Sequence, residues 1–277
     1  MKRIVVQLRN DVHCQIDCSR IRLDEWCEWT VDEIRRFPLA SVTGVSAPRY
    51  CVGDVFEVHC ESVDGSAPEL RIEGSTSQLD CIGNQHRLGQ IWVDGNVGSH
   101  CGSCMTGGQI WVTGDVGDAL GAPLGTRGTG MNGGQIHVQG NAGDLVGHRM
   151  RRGEIRIEGH VGSGLASWQI AGTIRVGGSV GSNVAYGMRR GTLILDQAAD
   201  LPESRFSAPV ELRSPFTALV GLGETQNVNR GGKPSQEAEE TLWQVQRGDR
   251  CVSGIGEVWM PQVDLPEAIA SHADSVR

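Results

Sequence analysis

Cys101-Gly102-Ser103-Cys104, with His100 beside it, carries the residue types of a metal site. A two-residue gap lets two thiolates reach one ion, but a structural zinc site needs four ligands, and no second pair with matching spacing is present. Equivalent stretches further along the chain hold Ala119 and Arg149, which are not ligands. Cys101 and Cys104 are therefore the candidate metal ligands, set against the plainer account of two small residues packed at a corner, and no metal site is assigned. Cys14 and Cys18 have no better partners.

Two arginine pairs, Arg151-Arg152 and Arg189-Arg190, recur at equivalent places two repeat units apart. If the units stack like strands, the pairs lie about 10 Å apart along one edge. The chain as a whole is acidic, with 25 Lys and Arg against 33 Asp and Glu and a formal net charge of −8. On that background a four-arginine edge suits a carboxylate-rich partner or cofactor, the alternative being a solvated corner. Arg127, in an insertion from Gly121 to Gly130, extends the same side. These five are the candidate partner-binding residues.

Acid–base chemistry has no comparable candidates. Sugar-cleaving enzymes built from stacked strands line a groove with paired carboxylates, whereas the outward positions here are Trp92, Trp111, His137, Arg156 and Arg175. Asp115, Asp118 and Asp144 fall at glycine turns, where turn hydrogen bonds are their simplest role. Gly-Xaa-Gly runs are frequent, but none follows a strand and opens a helix, so a phosphate loop is not indicated. No catalytic and no cofactor-binding residue is assigned.

What positions all of these side chains is a repeat. Aligned on one glycine, units begin at Gly89, Gly108, Gly134, Gly153, Gly172 and Gly191, with spacings of 19, 26, 19, 19 and 19 residues, so one unit carries a seven-residue insertion. Within each unit an alternating strand returns. Ile91, Ile110, Ile136, Ile155, Ile174 and Leu193 form one column, and Val93, Val112, Val138, Ile157, Val176 and Leu195 form another two residues on. Alternation points both columns to the same face and the tryptophan, histidine and arginine positions to the other. A further column of Met105, Met131, Met150 and Met188, with Gln169 in one unit, reads as core filling. Glycine columns at Gly95, Gly114, Gly140, Gly159 and Gly178, and at Gly98, Gly117, Gly143, Gly162 and Gly181, mark where the chain leaves the strand, and positive φ is the expected reason. The pattern predicts a right-handed parallel β-helix of about six coils with a nineteen-residue period.

Residues 1–68 have another texture and predict an α+β N-terminal cap: strands at Ile4 to Leu8 and about Val55 to His59, with a helix between them opened by a Thr30/Glu33 capping box and ended by Pro38. The β-helix is expected over 69–195, with a degenerate first coil at Leu70 to Gly74. An irregular C-terminal cap is expected over 196–260, including a loop and short helix within Thr225 to Glu240 and a strand near Glu257-Val258-Trp259. A mobile tail is expected over 261–277.

The acidic balance argues against general nucleic-acid binding. Nine scattered cysteines read as reduced thiols, and no signal peptide or membrane span is evident, so a cytoplasmic location is expected.

The pattern Gly-Xaa-Ile-Xaa-Val-Xaa-Gly-Xaa-Val-Gly of Gly108 to Gly117, followed by methionine and a fresh glycine, resembles the glycine-rich β-helix shared by two groups. One is the C-terminal domain of the glutamate synthase large subunit. The other is the C-type subunit of formylmethanofuran dehydrogenase and of the bacterial formyltransferase/hydrolase complex. The resemblance covers Leu70 to Leu195, and Gly53-Asp54-Val55-Phe56-Glu57-Val58 is similar to a segment of the C-type subunits, which favours that group. It implies a non-catalytic scaffold in a cytoplasmic complex acting on formyl groups of a methanofuran-type one-carbon carrier, with no cofactor bound by this chain. Its implied partners are a formyltransferase subunit and a metal-dependent amidohydrolase subunit, or in the dehydrogenase a molybdenum or tungsten pterin subunit. Two alternatives stay open, a glutamate-synthase-type spacer in an amidotransferase-like complex and a free-standing polymer-forming solenoid. The non-repeat segments at both ends disfavour the polymer.

Overall fold

The structure, a computed structural model, describes residues 1–39, 50–63, 65, 67–125, 127–213 and 242–261. Its strands are β1 (Lys2–Leu8), β2 (Ile16–Asp17), β3 (Phe56–Ser62), β4 (Glu69–Ser75), β5 (Leu79–Asp80), β6 (Gln90–Gly95), β7 (Gln109–Val112), β8 (Asn132–Val138), β9 (Arg152–Ile157), β10 (Thr173–Val176), β11 (Thr192–Leu195), β12 (Val210–Arg213), β13 (Leu242–Gly248) and β14 (Gly256–Pro261). Three short helices, α1 (Leu23–Trp26), α2 (Val31–Arg36) and α3 (Val52–Val55), precede the repeats. The capping box is present: the Glu33 amide donates to the Thr30 hydroxyl at 3.4 Å and the Thr30 amide to the Glu33 carboxylate at 2.7 Å.

Twelve strands form one sheet in the order β12-β13-β14-β11-β10-β9-β8-β7-β6-β4-β1-β3, while β2 and β5 pair separately. Pairing is parallel from β1 through β14 and antiparallel only at the two ends. The strands of the repeats meet in the register that the columns predict, Ile91 on Ile110, Ile136, Ile155, Ile174 and Leu193 in turn. Both aliphatic columns are buried. The ladder continues past the repeats with Ile4 and Val6 on Leu70 and Ile72 at one end and Val258 on Leu193 at the other.

The expectation of a closed parallel β-helix is corrected by this topology. Apart from the short β2–β5 pair, extended pairing is confined to one wall, a mostly parallel twelve-stranded sheet with few helices. On its way back to the sheet each repeat makes a single-residue bridge, Val97 to Val116 to Ala142 to Val161 to Val180, and otherwise runs through turns. Only four to seven residues of each repeat are extended, and the glycine-dense remainder bends too often to hold a second ladder of strands.

Those turns are themselves repetitive. Ile82, Cys101, Leu120, Val146, Leu165 and Val184 form a third buried column facing the sheet, joined by Met105, Met131, Met150 and Met188. The insertion loops out without disturbing this stack, because the Met131 amide returns to the Gly121 carbonyl at 2.7 Å.

Positive φ holds in these glycine columns at Gly95, at +113°, but at their other members the cause differs from the one expected. Gly114, Gly140, Gly159 and Gly178 all lie outside the left-handed region, and a Cβ on Gly159 would stand 2.6 Å from the Gly140 carbonyl oxygen one repeat earlier. Close stacking, not φ, excludes a side chain. Left-handed backbone occurs instead at the glycines that open the strands, such as Gly153 at φ +100°.

The C-terminal residues are tied to the repeat that begins at Gly172 through Asp249, whose ion pair with Arg205 is half-buried. Asp249, with a fully buried side chain, accepts from the Gly187 amide at 3.0 Å, from the Cys251 amide at 2.9 Å and from the Arg205 guanidinium. Arg205 also lies 4.1 Å from the Tyr186 ring centroid. The expected loop and helix within Thr225 to Glu240, and all but the first residue of the expected tail 261–277, lie outside the described residues.

Candidate functional site

The outward face of β6 to β11 carries the conspicuous side chains. Trp92 and Trp111 stack with ring centroids 5.1 Å apart at 9°, and His137 tilts against Trp111 at 4.6 Å. Beside them runs an amide ladder in which Gln90 donates to Gln109 at 3.0 Å, Gln109 to Gln135 at 2.8 Å and Gln135 to Glu154 at 3.3 Å. Stacking of like on like lets each amide donate to the next. The recurrence of glutamine at positions 90, 109 and 135 is visible in the sequence, and periodicity could have flagged it.

Further along, Glu158 binds His137 Nε2 at 3.0 Å and Arg156 Nε at 3.1 Å, and Arg175 pairs with Asp196 at 3.2 Å. A small cavity of about 40 Å³ lies among Trp111, Gln135, His137, Glu154 and Arg156. Burial holds the His137 pKa below the ordinary histidine value, with Arg156 adding to the effect. Burial alone would raise Glu158, but its bonds from His137 and Arg156 hold it below the ordinary carboxylate value. A neutral His137 facing a carboxylate must carry its proton on Nε2. Its other nitrogen, Nδ1, is buried without a hydrogen-bond partner, so the lone pair a general base would use is shut away from solvent. The arrangement locks side chains together and does not present a proton-transfer pair.

The four arginines stand where the chain turns into the sheet. Arg151, Arg152, Arg189 and Arg190 are all exposed, and the Arg151 and Arg189 amides each donate to the preceding repeat, at Met131 and Gln169, over 2.8 Å. Ile170 and Ala171 occupy the intervening repeat, so the pairs share one corner two repeats apart. Arg127 is exposed on the insertion, whose Gly128 carbonyl accepts from Arg149 Nη1 at 3.3 Å. Among the described residues, none of the five is in an ion pair with a carboxylate.

Cys101 and Cys104 are not brought together with further ligands. Cys101 belongs to the buried aliphatic column, in the place that Leu120 and Val146 take elsewhere, and burial pushes its thiol up to about 12. Cys104, half-buried, takes the place of Arg149 and Trp168 and directs its thiol to the Thr129 carbonyl at 3.6 Å. Among the described residues no group of three His, Cys, Asp or Glu side chains is placed to hold a metal.

The aspartates at the turns also differ from expectation in their partners. Asp115 accepts from the Asn141 amide at 2.7 Å, Asp118 from the Asp144 amide at 2.8 Å and Asp144 from the Ser163 amide at 2.6 Å. Each bonds to the next repeat and not to its own turn. These ladders fix the spacing between repeats and hence the spacing of everything the repeats display.

No family model matches the chain, and no curated protein matches it. A solved structure does: the X-ray crystal structure of the formyltransferase/hydrolase complex (FhcABCD) from Methylorubrum extorquens, in complex with methylofuran, contains a chain matched over 100% of its length by 94% of this one, with a TM-score of 0.68 and 29% sequence identity. This chain is thus similar in fold, and over nearly its whole length in sequence, to a chain of a multi-subunit formyltransferase/hydrolase complex.

Proposed function

We propose that this chain is the C-type subunit of a cytoplasmic formyltransferase/hydrolase complex, where it holds partner subunits and leaves the chemistry to them. The observation that carries the reading is the end-to-end likeness to a chain of such a complex. The outward sheet face agrees with a scaffold, because Glu158, Glu154 and Asp196 are all engaged by neighbouring side chains. The carrier acted on by the assembly is a methylofuran-type molecule, and the partners are a formyltransferase subunit and a metal-dependent amidohydrolase subunit. No helix among the described residues is long and apolar enough to cross a membrane. In this scheme residues 69–195 are the rigid body of the subunit, while 1–68 and 196–260 cover its two ends, since bare strand edges invite unwanted pairing.

The arginine corner is the docking edge in this reading. Guanidinium groups at fixed spacing suit successive carboxylates on a partner or on a carrier tail. Changing Arg151, Arg152, Arg189 and Arg190 to glutamine removes charge and keeps side-chain length, so the fold survives. Affinity for the partner subunits or the carrier, measured by surface plasmon resonance at low salt where exposed charges count most, should fall about tenfold or more. Equal affinities for variant and parent would return these residues to the role of a solvated corner.

A further inference from the structure

The turn face carries a groove, separate from the outward sheet face and from the arginine corner. Two turn columns read Leu145, Gly164, Asn183 and His148, Ser167, Tyr186 at nineteen-residue spacing. In the middle repeat both positions are small, and a trough of about 580 Å³ opens there. Leu145 and His148 wall one side, Asn183 and Tyr186 the other. Along the chain the trough runs from Asp144 and Ser163 to Trp168, whose ring meets Tyr186 edge-on at 6.0 Å. Leu145 is 42% and Tyr186 43% exposed, more than a large apolar or aromatic side chain in a finished wall needs to be.

Its polar end is acidic. Asp118 Oδ1 and Asp144 Oδ1 each accept from an amide of the next repeat, and neither carboxylate is in an ion pair among the described residues. Nearby cations are committed elsewhere, Arg205 to Asp249 and Arg149 to the Gly128 carbonyl. A trough with an apolar and aromatic length and two carboxylates at one end matches a long aliphatic stem ending in a cation. We propose that it seats a lysine or arginine side chain on an extended segment of a partner subunit, the stem against Leu145 and Trp168 and the cation against Asp118 and Asp144. This rests on the chain being an assembly subunit, but not on which assembly it serves.

The test uses the assembly purified from its own cells through a tag on this chain. Asp118→Asn with Asp144→Asn keeps the amide-accepting Oδ1, as Asn96 and Asn141 do in the adjacent ladder, and removes the charge. Leu145→Asn suits the left-handed backbone, Leu145 having φ +60° and Asn183 in the same column φ +59°. Thermal midpoints should stay at the parent value. Each variant should release partner subunits about fivefold faster at low salt, and the effect of the charge variant, unlike that of Leu145→Asn, should vanish at high salt. Parent-like release from both variants overturns the proposal, as does an unaffected Asp118→Asn/Asp144→Asn assembly, or a chain that purifies with no partner. Partners that prove to be neither formyltransferase nor hydrolase overturn the functional reading and leave the groove standing if the variants still release them faster.

Discussion

Gly159→Val should give no soluble protein. The first atom of any side chain there would lie 2.6 Å from both the Gly140 carbonyl oxygen and Asn141 Oδ1. Neither neighbour can yield: the Gly140 carbonyl accepts from the Gly159 amide at 3.1 Å, and Asn141 Oδ1 accepts from the His160 amide at 2.9 Å. Relief requires prising two repeats apart along the sheet, which breaks ladder bonds and opens the aliphatic core together. Expression in the soluble fraction with the parent's thermal midpoint would show that the repeats are not held at this spacing.

Asp249→Ala should cost about 3 kcal/mol, the low end of the range for breaking a buried pair, because Asp249 is fully buried but Arg205 keeps partial exposure. The change strands the Gly187 and Cys251 amides as well as Arg205, and so loosens the last strands from the repeat array. Acid should do the same to the parent. Burial alone would raise the Asp249 pKa, but the bonds from Arg205, Gly187 and Cys251 hold it below its ordinary value of 3.8. A depressed carboxylate pKa contributes stability above the unfolded value that is lost as pH falls through the folded one. Denaturant midpoints should therefore decline below about pH 4 in the parent and decline less in the variant. Parallel pH profiles for the two proteins would remove Asp249 from this role.

How much of this is legible in the sequence follows from repetition. The aliphatic columns can be placed in register because six copies of one strand leave no other alignment, and the structure pairs Ile91 through Leu193 in that order. The remainder of each repeat is not legible in this way. Alternation reveals a strand's two faces, but glycine-rich residues between strands are equally compatible with short strands and with turns, and only the backbone bonds decide. Left-handed residues such as Cys104, Arg149 and Trp168, with φ of +55°, +55° and +56°, carry no compositional signal at all. The Cys101 and Cys104 spacing resembles a ligand pair because a repeat can place two cysteines in columns whose other members are Leu120 and Arg149. The Arg205 and Asp249 pair occurs once, 44 residues apart, so no period could expose it.

The chain's place in an assembly is tested most directly by purifying it, tagged, from its own cells, identifying the polypeptides that accompany it, and assaying hydrolysis of formylated methylofuran-type carrier before and after it is separated from them. A scaffold subunit should bring with it a formyltransferase and an amidohydrolase in stoichiometric amounts, with turnover in the assembly and none in the separated chain. Turnover by the chain alone, or purification without either enzyme, would contradict that role.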